Sequence, residues 1–114
     1  MDAWRRARRG CPRISRVQFY DSNGEVPTKL RRHELAVVGS QNLYKWVYFE
    51  CPCGFRHERV ILNLNRAYSP SWRIEVGPPP SISPSVDIRG VRRCHFVLER
   101  GRVHWVADRP AHGP

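Results

Sequence analysis

Leu43-Tyr-Lys-Trp-Val-Tyr-Phe-Glu50, running directly into Cys51-Pro-Cys-Gly54, is the stretch that decides the fold. Aromatic and β-branched residues dominate it. Leu43, Val47 and Phe49 share a face with Cys51, which is the two-residue period of a half-buried strand. The Cys-Pro-Cys-Gly turn closes that strand and reverses the chain into a second one, whose apolar face is Val60, Leu62 and Leu64.

Outward from this hairpin, the chain reads as further strands. Arg13 to Tyr20 alternates polar and apolar residues and ends in the turn Asp21-Ser-Asn-Gly24. Glu34-Leu-Ala-Val-Val38 fits a short helix or a strand. Ser71 to Val76 is another short alternating segment. Gly77-Pro-Pro-Pro-Ser-Ile-Ser-Pro-Ser85 contains four prolines, which remove ladder donors; it is expected to be a connection or an edge and not a central strand.

The chain should finish as a hairpin, Arg93 to Glu99 and Arg102 to Ala107, around Arg100-Gly101. That register puts Cys94, Phe96, Leu98, Val103, Trp105 and Ala107 on the core face. His95, Val97, Glu99, Arg102, His104 and Val106 fall on the other. No heptad or internal repeat is present. The expected fold is mostly β, a small antiparallel sheet or sandwich of hairpins.

Length and charge bound the function. The chain has 114 residues, the size of one domain, and 40% of them are hydrophobic, enough for a core. No segment has the roughly 20 apolar residues of a membrane-spanning helix, and the basic start lacks the apolar stretch of a secretory signal. The expected location is therefore cytoplasmic, with no membrane partner. The formal charge is +10, and all but two of the 20 cations are arginine. Half of the charge lies in residues 1–16, which hold six arginines against Asp2. Arg5, Arg6, Arg8 and Arg9 in this tail, with Arg92 and Arg93 in a later cluster, are candidates for binding nucleic acid or an acidic protein surface.

The chemistry is carried by cysteine. Of Cys11, Cys51, Cys53 and Cys94, the middle pair sits on one tight turn and Cys94 enters the terminal hairpin on its core face. Without a secretory signal, reduced thiols or a metal site are expected over disulfides. Three thiols and a fourth donor suit structural zinc. The fourth donor has two candidates. His95 adjoins Cys94, but neighbours on a regular strand point to opposite faces; His57 could reach back over the Cys-Pro-Cys-Gly turn. A closed tetrahedral site stabilises the fold and leaves no position for a reacting water. A Cys94/His95 dyad or an open metal would make an enzyme, yet no His-Glu-x-x-His motif is present.

Cys51-Pro-Cys-Gly54, Trp72, Pro80-Ser-Ile-Ser-Pro-Ser-Val86, Cys94-His95-Phe96, Gly101-Arg-Val103 and Asp108 together resemble a bacterial and phage domain-of-unknown-function family. The likeness lies in residues 51–64 and 81–108, outside the arginine tail and residues 21–42. It implies a small zinc-binding β domain, sometimes encoded beside ubiquitin-like conjugation genes of antiviral defence. It also implies Cys51, Cys53, Cys94 and His95 as ligands. Phe55 stands where such proteins often carry another cysteine, which keeps His57 as the alternative.

These readings combine into one expectation. Residues 1–12 form a basic flexible tail, residues 13–109 a single zinc-stabilised β domain, and residues 110–114 a C-terminal tail. The domain acts as a non-catalytic binding or adaptor module, with nucleic-acid binding as the alternative and a zinc- or Cys-dependent enzyme behind both.

Overall fold

The apolar run Leu35-Ala-Val-Val38, ambiguous by pattern, becomes a strand buried on both faces. It lies inside one of two four-stranded sheets. The computed structural model describes residues 12–40, 43–54, 59–89 and 93–106. The first sheet has the order β1-β2-β3-β4, with β1 (Arg16–Tyr20), β2 (Glu34–Ser40), β3 (Leu43–Phe49) and β4 (Val60–Asn63). The second has the order β5-β6-β7-β8, with β5 (Arg73–Glu75), β6 (Ser81–Ile88), β7 (Cys94–Glu99) and β8 (Arg102–Trp105). A 3-10 turn at Asn23–Glu25 is the single helical piece among the described residues.

The two sheets share one buried cluster, so the architecture is a small sandwich. Val47, Phe49, Val60 and Leu62 of the first sheet meet Ile82, Val86, Phe96, Leu98 and Val103 of the second. Phe49 and Phe96 touch edge to face, with ring centroids 6.1 Å apart. Burying each such ring contributes about 1.5–3 kcal/mol. Ile14 completes the cluster at the seam. Its N–H donates to the Gly101 carbonyl (2.7 Å), while the Ser15 and Arg16 N–H groups donate to His33 (3.0 Å each). The expected strand over 13–20 is therefore two pairings, with Arg13 bridged to Arg102 in one sheet and β1 in the other.

Three expectations change. First, β1 runs parallel to β2, so the first sheet is mixed. The 21–33 connection is long enough for the return, since a parallel crossover needs roughly a dozen residues. Second, Leu43 is not on the core face but 66% exposed. The β2–β3 register passes from Val38 opposite Trp46 to Gly39 opposite Tyr44 and skips Lys45, so Leu43 turns outward. Gly39 has φ +143°, and a Cβ there would collide with the Leu43 carbonyl oxygen.

Third, the proline-rich segment contributes most of a central strand. Ile82 pairs with Leu98 and Val86 with Phe96, so Ser83, Pro84 and Ser85 stand opposite Val97 alone. This bulge carries Pro84 out to solvent while Ile82 and Val86 both remain buried. No ladder position is thus asked of Pro84, which removes the objection to proline in a central strand.

The terminal hairpin has the expected register, from Phe96 opposite Trp105 to Glu99 opposite Arg102. Arg100 (φ 50°) and Gly101 (φ 81°) form the two-residue turn, whose twist requires positive φ at both positions. Trp105 lies at the rim of the core, stacked edge-on against Phe96 (5.5 Å) yet 40% exposed. Ala107 lies outside the described residues.

Candidate functional site

Alternation along β7 separates two chemical sites. Cys94, Phe96 and Leu98 are buried between the sheets, whereas His95 and Val97 stand on the outer face, partly buried. Adjacent residues Cys94 and His95 thus serve opposite sides of one strand.

On the inner side, Cys94 meets the turn that follows β3. Phe49 and Cys51 are both buried, and Gly54, with φ +80° and its N–H donating to the Cys51 carbonyl (3.3 Å), closes the turn that brings Cys53 round beside them. The ligand atoms of Cys51, Cys53 and Cys94 all lie within 4.8 Å of one another, and no disulfide joins them. Sulfurs bound to a tetrahedral ion at a Zn–S length of about 2.3 Å sit about 3.8 Å apart. The cluster is therefore of a size to hold a metal ion. Burial pushes the Cys51 thiol well above its ordinary range; a backbone hydrogen bond with Cys53 opposes this, and side-chain hydrogen bonds with Cys53 and Cys94 add to it. At neutral pH such a thiol keeps its proton unless a cation replaces it.

On the outer side, His95 faces β6. Asp87 is its direct partner across the strands, and Ser85 is the diagonal neighbour two residues along. Diagonal neighbours on one face lie within reach of a long side chain. The His95 Nε2 and Ser85 Oγ atoms are 2.9 Å apart. With the proton on Nδ1, the Ser85 hydroxyl donates to Nε2. The Trp72 indole N–H donates to the Ser85 main-chain carbonyl (3.1 Å), which fixes the bulge from the β5 side.

Asp87 has other partners. Arg93 clamps its carboxylate through Nε (3.0 Å) and Nη2 (2.9 Å), and Arg89 adds a longer contact at 3.3 Å. The Arg93 hydrogen bonds chiefly hold the Asp87 carboxyl down at about 2, against an ordinary 3.8; partial burial opposes them and Arg89 assists. A carboxylate whose folded pKa is depressed stabilises the fold above its unfolded pKa, and the benefit disappears as pH falls through the folded value. Thermal melts should therefore show wild type more stable than Asp87→Asn at pH 5, with the gap closing between about pH 3.8 and pH 2. Since Arg89 is 73% exposed, added salt should narrow the gap at pH 5 as well. An unchanged difference down to pH 2 would contradict the clamp.

The structure therefore brings Cys51, Cys53 and Cys94 together and sets the His95 imidazole against Ser85. His57 and Cys11, with Arg5, Arg6, Arg8, Arg9 and Arg92, lie outside the described residues. Arg93 is engaged with Asp87. No helix among the described residues is long and apolar enough to cross a membrane. Ser85 is the candidate residue that the sequence does not single out. It lies in Ser83-Pro84-Ser85, a stretch expected to be a connection or an edge and part of the resemblance motif Pro80–Val86.

A β sandwich with a largely buried three-thiol cluster and a Ser–His pair back to back across one strand defines the class of domain. Residues 22–106 match the family described as bacterial ubiquitination-like system serine protease (BubE), and the chain belongs to it. The match takes in most of residues 21–42, which the motif resemblance left out. No curated protein and no solved structure matches the chain.

Proposed function

We propose that this protein is a serine peptidase of a bacterial ubiquitination-like system, with Ser85 as nucleophile and His95 as general base. The observation that carries this reading is the 2.9 Å approach of Ser85 Oγ to His95 Nε2 in a member of a family so described. Ser85 Oγ attacks the carbonyl carbon of a peptide or isopeptide bond as its proton passes to Nε2. The imidazolium then protonates the leaving amine, and an acyl ester remains on Ser85. Water attacks the ester, gives its proton to Nε2 and releases the acid, restoring the hydroxyl.

Cys51, Cys53 and Cys94 take a different part. They hold a structural zinc ion, for which three soft thiolates are suited donors. The ion ties the turn after β3 to the first residue of β7, which anchors the strand that presents His95. With His95 acting as base, His57 is the fourth ligand in this reading. The binding-module expectation keeps the cluster and gives Ser85 no chemistry.

A fluorophosphonate probe separates the two. The peptidase reading expects one covalent adduct per chain, located on Ser85 by peptide mass spectrometry and absent in His95→Ala. Failure of the folded protein to label, or labelling that ignores His95, supports the binding module.

A further inference from the structure

The wall beside Ser85 is basic. A depression of about 360 Å³ is lined by Arg66, Ser71, Trp72, Arg73, Ser83 and Pro84. It lies along the bulge that ends in Ser85, and Trp72, which lines it, also donates to the Ser85 carbonyl. Arg73 is the cross-strand partner of Ser83, two residues before Ser85. Arg66 reaches the depression from the turn after β4. That turn is built by Asn65, whose Oδ1 accepts the Ala67 N–H (2.9 Å) and whose carbonyl accepts the Tyr68 N–H (3.1 Å). The Trp72 N–H donates to the Asn63 carbonyl (2.9 Å), fastening the far end of the same loop.

Arg66 and Arg73 thus line one concavity from separate pieces of backbone. Neither has an ion pair or a side-chain hydrogen bond among the described residues, whereas Asp87 occupies both Arg89 and Arg93 a short way along β6. Ser71 and Ser83 add hydroxyls to the lining, and the Trp72 ring offers an apolar wall. A planar fork of donors matches a carboxylate.

We infer that Arg66 and Arg73 form a substrate subsite for a carboxylate, carried by an acidic residue next to the scissile bond. The inference rests on the peptidase reading and adds the class of substrate to it. Since the depression borders Ser85 along the strand, a peptide crossing Ser85 would put a neighbouring side chain into it. A carboxylate there ties the peptide down close to the reacting carbonyl, and lysine or arginine at that position is repelled.

The test uses the full chain and a randomised decapeptide library, with cleavage products identified by mass spectrometry. Cleaved peptides should be enriched about tenfold in Asp or Glu over Asn or Gln at one position flanking the cut, the size expected of two partly exposed charge contacts. Arg66→Glu/Arg73→Glu should turn that preference to Lys and Arg while Ser85 still labels with fluorophosphonate. Cleavage indifferent to acidic residues, or a preference that survives the double reversal, overturns the subsite and leaves the peptidase intact.

If the library is not cleaved, the subsite is judged by binding alone, and the peptidase reading stands or falls on fluorophosphonate labelling of Ser85. Fluorescein-labelled Glu and Gln hexapeptides, each with a free or an amidated C-terminus, are titrated against Ser85→Ala. Glu-dependent binding lost when Arg66→Glu and Arg73→Glu are added to Ser85→Ala supports a side-chain subsite. Binding that follows only the free terminus, or no difference among the peptides, overturns it.

Discussion

Ser85→Ala should yield a folded, metal-loaded protein whose peptidase activity is reduced by at least about a thousandfold. That is the scale on which loss of a nucleophile or its base acts. Folding should survive because the substitution removes a partly buried hydroxyl that faces His95, while the main-chain carbonyl that accepts from Trp72 remains. His95→Ala should be comparably inactive, since the serine then lacks an acceptor for its proton. Added imidazole should restore part of its activity, which a purely structural role for His95 does not predict.

Metal content decides between the two roles considered for His95. As the base on the outer face, its loss leaves the inner thiols untouched and bound zinc stays at wild-type stoichiometry. If His95→Ala is instead emptied of metal, His95 is a ligand, and the Ser85–His95 pair is not the reacting centre.

The second large effect is expected from the thiols. Chelation, or replacement of Cys94 by Ser, should remove one equivalent of zinc and lower the melting temperature by ~15 °C or more. The magnitude follows from linkage. An ion that binds only the folded chain, present at a thousandfold excess over its Kd, stabilises by about 4 kcal/mol. For a domain of this size each kcal/mol is worth about 4–8 °C. The effect should be large because the cluster joins distant parts of the chain, the turn after β3 and the start of β7, at the edge of the shared core. Activity should fall with the metal, through loss of the anchor beneath His95. Metal analysis of the purified protein with inductively coupled plasma, paired with melts before and after chelation, checks both parts. A melting curve indifferent to chelation would remove the structural site.

Much of this molecule is legible along the chain wherever a local rule governs. The alternation in 43–51 and 94–105 and the positive-φ turn at Arg100-Gly101 are such rules, and they yield the β class, the terminal register and the inward direction of Cys94. The gathering of three thiols was readable for the same reason. One tight turn carries two of them, and strand parity aims the third.

What stayed hidden depends on how strands from different parts of the chain register against one another. Leu43 obeys the parity of its own strand, yet it is exposed, because the irregularity at Gly39 shifts the pairing by one residue. Pro84 argues against a central strand by its chemistry, and the bulge opposite Val97 accommodates it. That same bulge, with Asp87 paired to His95, brings Ser85 Oγ to 2.9 Å from Nε2 across nine intervening residues. Side-chain period and turn chemistry are properties of a single strand, so the sequence by itself determines the β class and the thiol set. Which serine meets which histidine is a property of two strands and their offset, and only the tertiary structure decides it.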